Sequence, residues 1–248
     1  MKKLIQIDAE WVPPSENNNC SLYIRPTFIG TEETLGVAGS KKALLYIITG
    51  PVGAYFPTGI KPVSLLADPS FVRAWPGGAG DKKLGSNYAP TIAIQKLAEK
   101  KGLQQVLWLY GDNHQLTEVG TMNIFVYFEN ENGEKELVTP PLSDGIILPG
   151  VVRLSLLEMA RSLDQFKVTE RVITMKEVKQ LLKQNKLLEI FGAGTACVVC
   201  PVGRIHYCNE DLIIPTLQHK EPLTMRFYNS LTDIQYGKTP HPWAVPLE

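Results

Sequence analysis

The chain has 248 residues, of which 44% are hydrophobic and 20% charged, and its formal net charge is +0. This length suffices for one large domain or two small ones. The balanced charge argues against a broad nucleic-acid surface, which needs a basic face. No apolar run reaches the roughly 18 residues of a membrane span, so we expect neither nucleic acid nor a membrane as a partner.

The first fifty residues contain three short apolar runs, at positions 4–7, 22–24 and 43–48, and each predicts a strand. Glycine and proline then punctuate the segment 50–59, which favours a connector. We therefore expect a small domain over residues 1–52, a connector over 53–62 and a large domain over 63–248. The start, MKKLIQIDAEWVPP, lacks the sustained apolar segment of a secretory signal. With only four cysteines, a reducing compartment is expected.

The large domain is predicted to mix helices and strands. Apolar spacing and a stop at Gly102 predict a helix over 91–101, and Thr174, followed three residues later by Glu177, predicts a capped helix over 174–184. Further helices are predicted over 149–160, with a proline near its start, and near 221–234. Strands are predicted at 105–110, 124–128, 196–199 and 205–207, and residues 138–142 are predicted to be short and extended. The fold class is α/β or α+β.

Two adjacent lysines, Lys82 and Lys83, lie between a glycine-rich run and the turn Gly-Ser-Asn-Tyr88. Lysine does covalent chemistry when a carbonyl group can reach its amine. Composition does not distinguish the two lysines, and a solvated surface pair is the alternative. Glu118 lies among small and hydroxylated residues and could accept a hydrogen bond from a protonated ring nitrogen. Its alternative is a polar connector turn.

Two further segments have the character of anion sites. Leu148-Pro-Gly-Val-Val-Arg153 opens a helix, where backbone N–H groups are free. Phe191-Gly-Ala-Gly-Thr-Ala196 is predicted to be a glycine-rich turn, whose backbone and Thr195 hydroxyl could hold a phosphate. A lysine, a carboxylate and two phosphate-binding turns together indicate pyridoxal 5'-phosphate.

Seven segments of the sequence resemble the branched-chain amino-acid aminotransferases of animals, which are fold-type IV pyridoxal-phosphate enzymes: SLYIRPTFIGTEETLGV, PVGAYFP, GDKKLGSNYAP, QVLWLYGDNHQLTEVGTMNIFVYF, LVTPPL, ILPGVVR and FGAGTACVVCPV. The resemblance runs from about Leu4 to the C-terminus. It implies a large pseudo-barrel domain that binds the cofactor, preceded by a small α/β domain. The family's chains begin upstream of Met1, so the small domain is expected to be incomplete.

The resemblance implies a role for each matching residue. Lys83, in the motif K-x-G-x-N-Y, is the catalytic lysine that bonds to the cofactor. The other cofactor-binding positions are Tyr88 at the phenolic oxygen, Glu118 at the ring nitrogen, and Gly150, Val151, Val152, Gly194 and Thr195 at the phosphate. The substrate-binding positions are Tyr23, Arg25, Tyr55, Thr121 and Ala196, with Leu35 and Val37 reaching the partner subunit of a homodimer. The chemistry needs a neutral amine at Lys83, which we expect burial to favour.

The implied reaction transfers the amino group of leucine, isoleucine or valine to 2-oxoglutarate and releases branched 2-oxo acids and glutamate. The alternative is a non-catalytic product that keeps the large domain as a binding or interaction module. The cytoplasm is the expected compartment and the mitochondrion its alternative, because the family has forms in both.

Cys197 and Cys200 form a CxxC pair, which the resemblance makes a redox-sensitive dithiol. Two buried structural thiols are the alternative on spacing alone. No second pair stands at zinc-ligand spacing, so no metal is expected.

Overall fold

The computed structural model describes residues 1–14, 20–53 and 59–247, and it divides the chain into two compact units. One unit comprises residues 1–58 and 236–248, and the other comprises residues 59–235. The predicted connector over 53–62 is described in part, since residues 54–58 lie outside the described residues. None of the helices formed by the described residues is both long and apolar enough to cross a membrane.

The smaller unit contains a short helix α1 (Lys2–Ile7), a 3₁₀ turn (Ala9–Trp11) and two strands, β1 (Ser21–Gly30) and β2 (Ala43–Val52). The strands pair antiparallel along their whole length, from Ser21 opposite Val52 to Gly30 opposite Ala43. The strand predicted at 4–7 is wrong, because this segment is α1. A run of four residues cannot separate the two periodicities. Helix α1 ends at Ile7 with Asp8 as its C-cap, and the Asp8 carboxylate accepts a hydrogen bond from the Thr49 hydroxyl at 3.0 Å.

The larger unit holds nine strands and four helices in its described residues. In chain order they are β3 (Val63–Ala67), α2 (Thr91–Lys100), β4 (Gln105–Tyr110), β5 (Gln115–Val119), β6 (Met122–Glu129), β7 (Lys135–Thr139), α3 (Val151–Leu163), β8 (Lys167–Glu170), α4 (Met175–Lys183), β9 (Leu187–Gly194), β10 (Val198–Tyr207), β11 (Glu210–Ile213) and α5 (Leu223–Gln235). A 3₁₀ turn (Gly85–Asn87) precedes α2.

Six of these strands close into a barrel. The pairing runs β10–β3–β4–β5–β6, and β9 pairs with both β6 and β10, which completes the ring. The β10–β3, β3–β4 and β7–β8 pairs are parallel and the others are antiparallel. This mixed sheet with helices agrees with the predicted α/β or α+β class and with the predicted pseudo-barrel.

The core lies between the barrel and its helices. Phe125 of β6 stacks on Phe191 of β9 with ring centroids 5.3 Å apart, and Phe227 of α5 meets Phe191 edge-on at 6.0 Å. On another side, α2 buries Ile94 and Ala98 in a separate cluster that includes β3 and β4 residues. Burial of these large side chains is the main favourable contribution to folding of this unit.

Several predicted elements are confirmed at their boundaries. Helix α2 ends before Gly102, whose φ of 72° suits glycine. Thr174 caps α4 by accepting a hydrogen bond from the Glu177 N–H at 3.2 Å. The Glu177 carboxylate bonds to Arg171 instead of returning to the cap, so one half of the capping box is formed.

Two predictions from local pattern and one of the alternatives are wrong. Residues 115–119 form strand β5 rather than a connector turn, because both faces of this strand are buried and its polar residues do not mark a solvent face. Residues 191–194 belong to β9, so the turn is restricted to 195–197 and the next strand begins at Val198. Helix α3 begins at Val151 with Gly150 as its N-cap, which leaves Pro149 outside the helix.

Candidate active site

Lys83 lies in the long loop between β3 and α2, and its amine contacts the residue that ends the same motif. Its Nζ donates a hydrogen bond to the Tyr88 hydroxyl at 3.2 Å and lies 5.4 Å from the centre of the Tyr88 ring. Lys82 makes a different contact, with Asp81 at 2.6 Å. The side chain of Lys83 is exposed in this structure, so the burial that the sequence analysis expected is not found.

Two backbone anchors hold this loop. The Asn87 side chain donates hydrogen bonds from Nδ2 to the carbonyl oxygens of Ala79 and Lys82, both at 2.7 Å. These bonds fix the backbone on either side of Asp81, directly before Lys83. The two adjacent lysines therefore differ in their contacts although their sequence context is the same, and Lys83 is the one that contacts Tyr88.

Glu118 is a buried carboxylate in β5, with 3% of its surface exposed. Its Oε1 accepts a hydrogen bond from the backbone N–H of Leu148 at 2.8 Å, and its Oε2 lies 3.1 Å from Nε of Arg73. Burial raises the pKa of Glu118 to about 7, whereas the positive charge of Arg73, the Leu148 N–H and the positive charge of Lys83 act to lower it. The positive charge of Lys83 is thus one of the charges that act on this buried carboxylate.

The start of α3 lies beside Glu118, because Leu148 connects the two. Asn123 Nδ2 donates a hydrogen bond to the Leu148 carbonyl at 2.8 Å, and a Cβ on Gly150 would lie 2.2 Å from Asn123 Oδ1. Only glycine fits at the N-cap without moving Asn123. No side chain among the described residues caps this helix, so its first N–H groups are available to an anion. Val151 is 76% exposed and Val152 is buried.

The turn after β9 lies beside the start of β6. A Cβ on Gly194 would lie 3.2 Å from Cγ of Met122, and the Cys197 thiol is 3.1 Å from the Met122 sulfur. Thr195 and Ala196 are exposed in this turn, and Thr121 is exposed in the turn that precedes Met122. The two turns are therefore neighbours.

Asn123 links these segments through the sheet. It pairs with Glu118 across β5 and with Ala193 across β9, and its side chain reaches Leu148. The structure thus brings together the carboxylate, the start of α3 and the 195–197 turn at one end of three neighbouring strands. Thr121, Val151, Thr195 and Ala196 are exposed at this end.

The remaining predicted site residues lie elsewhere in the chain. Tyr23, Arg25, Leu35 and Val37 belong to the smaller unit, where the Arg25 guanidinium hydrogen-bonds to the Tyr23 hydroxyl and lies 5.1 Å from its ring centre. Leu35 and Val37 are fully exposed in this structure. Tyr55 lies outside the described residues.

Cys197 and Cys200 are both buried and both free thiols. Burial raises the pKa of Cys197 to about 12, with a further contribution from Cys200, and burial raises the pKa of Cys200 to about 11. Reactive cysteines need accessible thiolates, so this environment favours the alternative of two structural thiols. No group of three histidine, cysteine or acidic side chains in the described residues is arranged to hold a metal ion.

Three residues of this arrangement have no individual role predicted from the sequence: Arg73, Asn123 and Leu148. Arginine in a loop is normally solvated, and only the folded chain shows that Arg73 is buried against Glu118. Among the surface clefts of the described residues, one of about 560 Å³ between α4 and β11 and one of about 840 Å³ beside His114 contain none of the predicted site residues. Volume alone therefore does not identify this site.

Residues 9–205 match the amino-transferase class IV family. The chain is 58% identical over 246 residues to the mitochondrial branched-chain-amino-acid aminotransferase of Rattus norvegicus, covering 99% of this chain and 62% of that protein. It is 56% identical to the cytosolic branched-chain-amino-acid aminotransferase of Caenorhabditis elegans, covering 96% of this chain and 58% of that protein. The chain thus spans about 60% of the length of these curated relatives.

Solved structures share the fold. A branched-chain aminotransferase from Thermoproteus uzoniensis, solved with norvaline, superposes with a TM-score of 0.75 at 24% identity and covers 92% of this chain and 69% of its own. A branched-chain amino acid aminotransferase from Thermobaculum terrenum in its PLP form superposes with a TM-score of 0.67 at 20% identity, over 88% of this chain and 65% of its own. At these identities the comparison supports the fold.

Proposed function

The chain belongs to the amino-transferase class IV family, and from that premise we propose that it is a pyridoxal 5'-phosphate-dependent branched-chain-amino-acid aminotransferase. The reaction transfers the amino group of leucine, isoleucine or valine to 2-oxoglutarate and yields branched 2-oxo acids and glutamate. Curated relatives at 52–58% identity bear this name. Their compartments differ, since both mitochondrial and cytosolic forms match the chain.

One observation carries the proposal: the amine of Lys83 is hydrogen-bonded to the Tyr88 hydroxyl at 3.2 Å and interacts electrostatically with the buried Glu118. These are the groups that a pyridoxal phosphate ring needs at its aldehyde, its phenolic oxygen and its ring nitrogen. The uncapped start of α3 suits the phosphate. The residues present therefore fit the cofactor.

Each of these residues has a defined task in this proposal. When bound, the cofactor supplies an electron-withdrawing ring that stabilises negative charge at the substrate α carbon. The Lys83 amine would hold the aldehyde carbon of the cofactor, and as a free amine it would act as the general base that moves a proton at the substrate α carbon. The carboxylate of Glu118 accepts a hydrogen bond from the ring N–H, and the Tyr88 hydroxyl donates to the phenolic oxygen.

The phosphate is proposed to bind where two segments present backbone N–H groups. Val151 and Val152 open α3 after the N-cap Gly150, and Gly194 and Thr195 lie where β9 ends. Exposure of Val151 and Thr195 keeps these groups accessible. An anion at the start of α3 is favoured by its free N–H groups and by the helix dipole.

Substrate recognition is proposed to combine apolar contacts with one cation. The Ala196 N–H binds the substrate carboxylate, Thr121, Tyr23 and Tyr55 contact the side chain, and Arg25 binds the distal carboxylate of glutamate. The contact between Arg25 and Tyr23 supports this pairing, because a guanidinium held over a phenol ring can turn toward a carboxylate without losing all of its partners.

A homodimer is proposed as the assembly, with Leu35 and Val37 reaching the substrate pocket of the partner subunit. Full exposure of two apolar side chains in one short segment supports this proposal. For the compartment we propose the cytoplasm, with the mitochondrion as the alternative. The four free thiols are compatible with a reducing compartment.

The experiment compares the wild-type chain with Lys83→Ala and Lys82→Ala. Each protein is incubated with pyridoxal 5'-phosphate, reduced with borohydride and digested, and the modified lysine is identified by mass spectrometry. We expect attachment at Lys83 in the wild type and in Lys82→Ala, and none in Lys83→Ala. Transfer from leucine to 2-oxoglutarate is assayed in parallel. Attachment at Lys82, or no attachment and no transfer in the wild type, would contradict the proposal and favour a non-catalytic binding module.

A further inference from the structure

Arg73 lies in the loop after β3 and is buried, with 6% of its side chain exposed. A buried guanidinium requires partners that compensate for its lost hydration. Arg73 finds three: Oε2 of Glu118 lies 3.1 Å from its Nε, and its Nη2 donates to the carbonyl oxygens of Gly80 at 3.1 Å and Ile146 at 2.5 Å.

The three partners belong to three different segments of the proposed site. Gly80 is three residues before Lys83, Ile146 is four residues before the N-cap Gly150, and Glu118 is the buried carboxylate of β5. The loops also touch directly, since a Cβ on Gly80 would lie 2.4 Å from Ala74 Cβ and 3.0 Å from Ile146 Cα. A single side chain thus connects the lysine loop, the carboxylate and the segment leading to the helix.

The contact between Arg73 and Glu118 is an ion pair without an aligned hydrogen bond. Nε of Arg73 is buried and has no acceptor of good geometry among the described residues, although Glu118 Oε2 is 3.1 Å away. Within the described part of the chain, the Leu148 N–H supplies the one directed hydrogen bond to the carboxylate. Lone pairs of both carboxylate oxygens therefore remain for a further donor, which is what a ring N–H requires.

We propose that Arg73 is a positioning residue that keeps the Glu118 carboxylate charged and oriented and ties the Lys83 loop to the segment preceding α3. The relevance of this positioning to catalysis rests on the proposed function, whereas the positioning itself is inferred from the contacts of Arg73. Arg73 and Lys83 are the positive groups that face Glu118, and both lower its pKa against the effect of burial. Removing the Arg73 charge leaves the carboxylate with the more distant of the two cations and favours its neutral form.

The test uses two variants. Arg73→Met keeps an unbranched aliphatic side chain but removes the charge. Arg73→Lys keeps the charge but loses the planar guanidinium group with its several N–H donors. The pKa of Glu118 is measured in the cofactor-free protein by carbon NMR of the glutamate carboxyl groups, with Glu118→Gln identifying the resonance. Affinity for pyridoxal 5'-phosphate is measured by absorbance titration from pH 6 to 9. Double variant Arg73→Met/Glu118→Gln controls for folding, because it removes both charges together.

We expect Arg73→Met to raise the pKa of Glu118, to weaken cofactor binding at least about tenfold at neutral pH, and to shift the pH dependence of binding upward. Arg73→Lys should restore the pKa of Glu118 and part of the affinity. The double variant should be more stable than Arg73→Met. An unchanged Glu118 pKa in Arg73→Met overturns the inference even if the wild type binds no cofactor. Wild-type failure to bind overturns the proposed function alone, so the two results remain distinguishable.

Discussion

The Nζ of Lys83 donates a hydrogen bond to the Tyr88 hydroxyl at 3.2 Å, which joins the two ends of the K-x-G-x-N-Y motif. The same hydroxyl is the group that we propose for the cofactor's phenolic oxygen. We expect Tyr88→Phe to weaken cofactor affinity about three- to tenfold, the range for loss of one hydrogen bond. Absorbance titration with pyridoxal 5'-phosphate measures this change.

Tyr207→Phe is the control for Tyr88→Phe, because the Tyr207 hydroxyl faces His114 at 2.5 Å rather than Lys83. It should leave the affinity unchanged. If Tyr88→Phe and wild type bind pyridoxal 5'-phosphate with equal affinity, the Tyr88 hydroxyl does not contact the cofactor.

Glu118 makes the stability of the cofactor-free protein depend on pH. Its pKa in the folded chain is about 7, above its ordinary 4.5, so the folded chain holds the proton more tightly than the unfolded chain. The free energy of unfolding therefore falls as pH rises from about 4.5 to about 7 and stays lower above that. Glu118→Gln removes this dependence. The difference in the free energy of unfolding between wild type and Glu118→Gln should therefore change by on the order of 3 kcal/mol between pH 4.5 and 8.

Urea unfolding at pH 4.5, 6 and 8 measures the effect of Glu118→Gln. Glu158→Gln, at an exposed position of α3, is the matched control and should follow the wild type at each pH. A wild-type-to-Glu118→Gln difference that does not vary with pH would mean that Glu118 is not a buried acid with a raised pKa.

Gly150 is sterically required at the start of α3. The added Cβ of Gly150→Ala would lie 2.2 Å from Asn123 Oδ1, and moving that side chain breaks its 2.8 Å hydrogen bond to Leu148. We expect a loss of about 1–3 kcal/mol in the free energy of unfolding, together with weaker phosphate binding. Gly39→Ala is the control, because no other described atom lies within 4 Å of its Cβ position. Unaltered stability of Gly150→Ala would show that Asn123 can move at no cost.

Arg25 is predicted to discriminate between the two amino donors. In Arg25→Leu the KM for glutamate should rise about 10- to 100-fold, the effect of losing a charged hydrogen bond, while the KM for leucine should change less than about threefold. Steady-state kinetics with both substrates measures this ratio, and Arg25→Lys should recover part of it. Equal changes in the KM for leucine and the KM for glutamate would show that Arg25 does not bind the distal carboxylate of glutamate.

Cys197 and Cys200 should react slowly with iodoacetamide in the folded protein. Burial raises their pKa values to about 12 and 11, so their thiolate fractions at pH 8 are at least about tenfold below that of an ordinary thiol. Cys208 is exposed and should be modified first. Mass spectrometry of quenched samples gives the order of labelling. Rapid labelling of Cys197 or Cys200 would instead support the redox dithiol.

Local sequence determined much of the helical framework. Helices α2 and α4 are predictable from apolar spacing, the Gly102 stop and the Thr174 cap, because these signals act within one or two turns of the chain. Motif resemblance selected Lys83, Tyr88 and Glu118, and composition alone left Lys82 and Lys83 equivalent. The strand predicted at 4–7 was wrong because four residues are too few to distinguish the helical period from the strand period.

Tertiary structure decided the burial of Glu118, the closure of the barrel and the contacts of Arg73. Strand β5 has three polar residues among its five, yet residues 116–119 are all buried, and no local rule predicts this. Closure depends on β9 pairing with β6 and β10, and the site depends on Arg73 meeting a carboxylate 45 positions away. Such contacts are energetically favourable only after the chain has folded and excluded water from these charges, so the sequence pattern specifies the elements, whereas their long-range packing specifies the site.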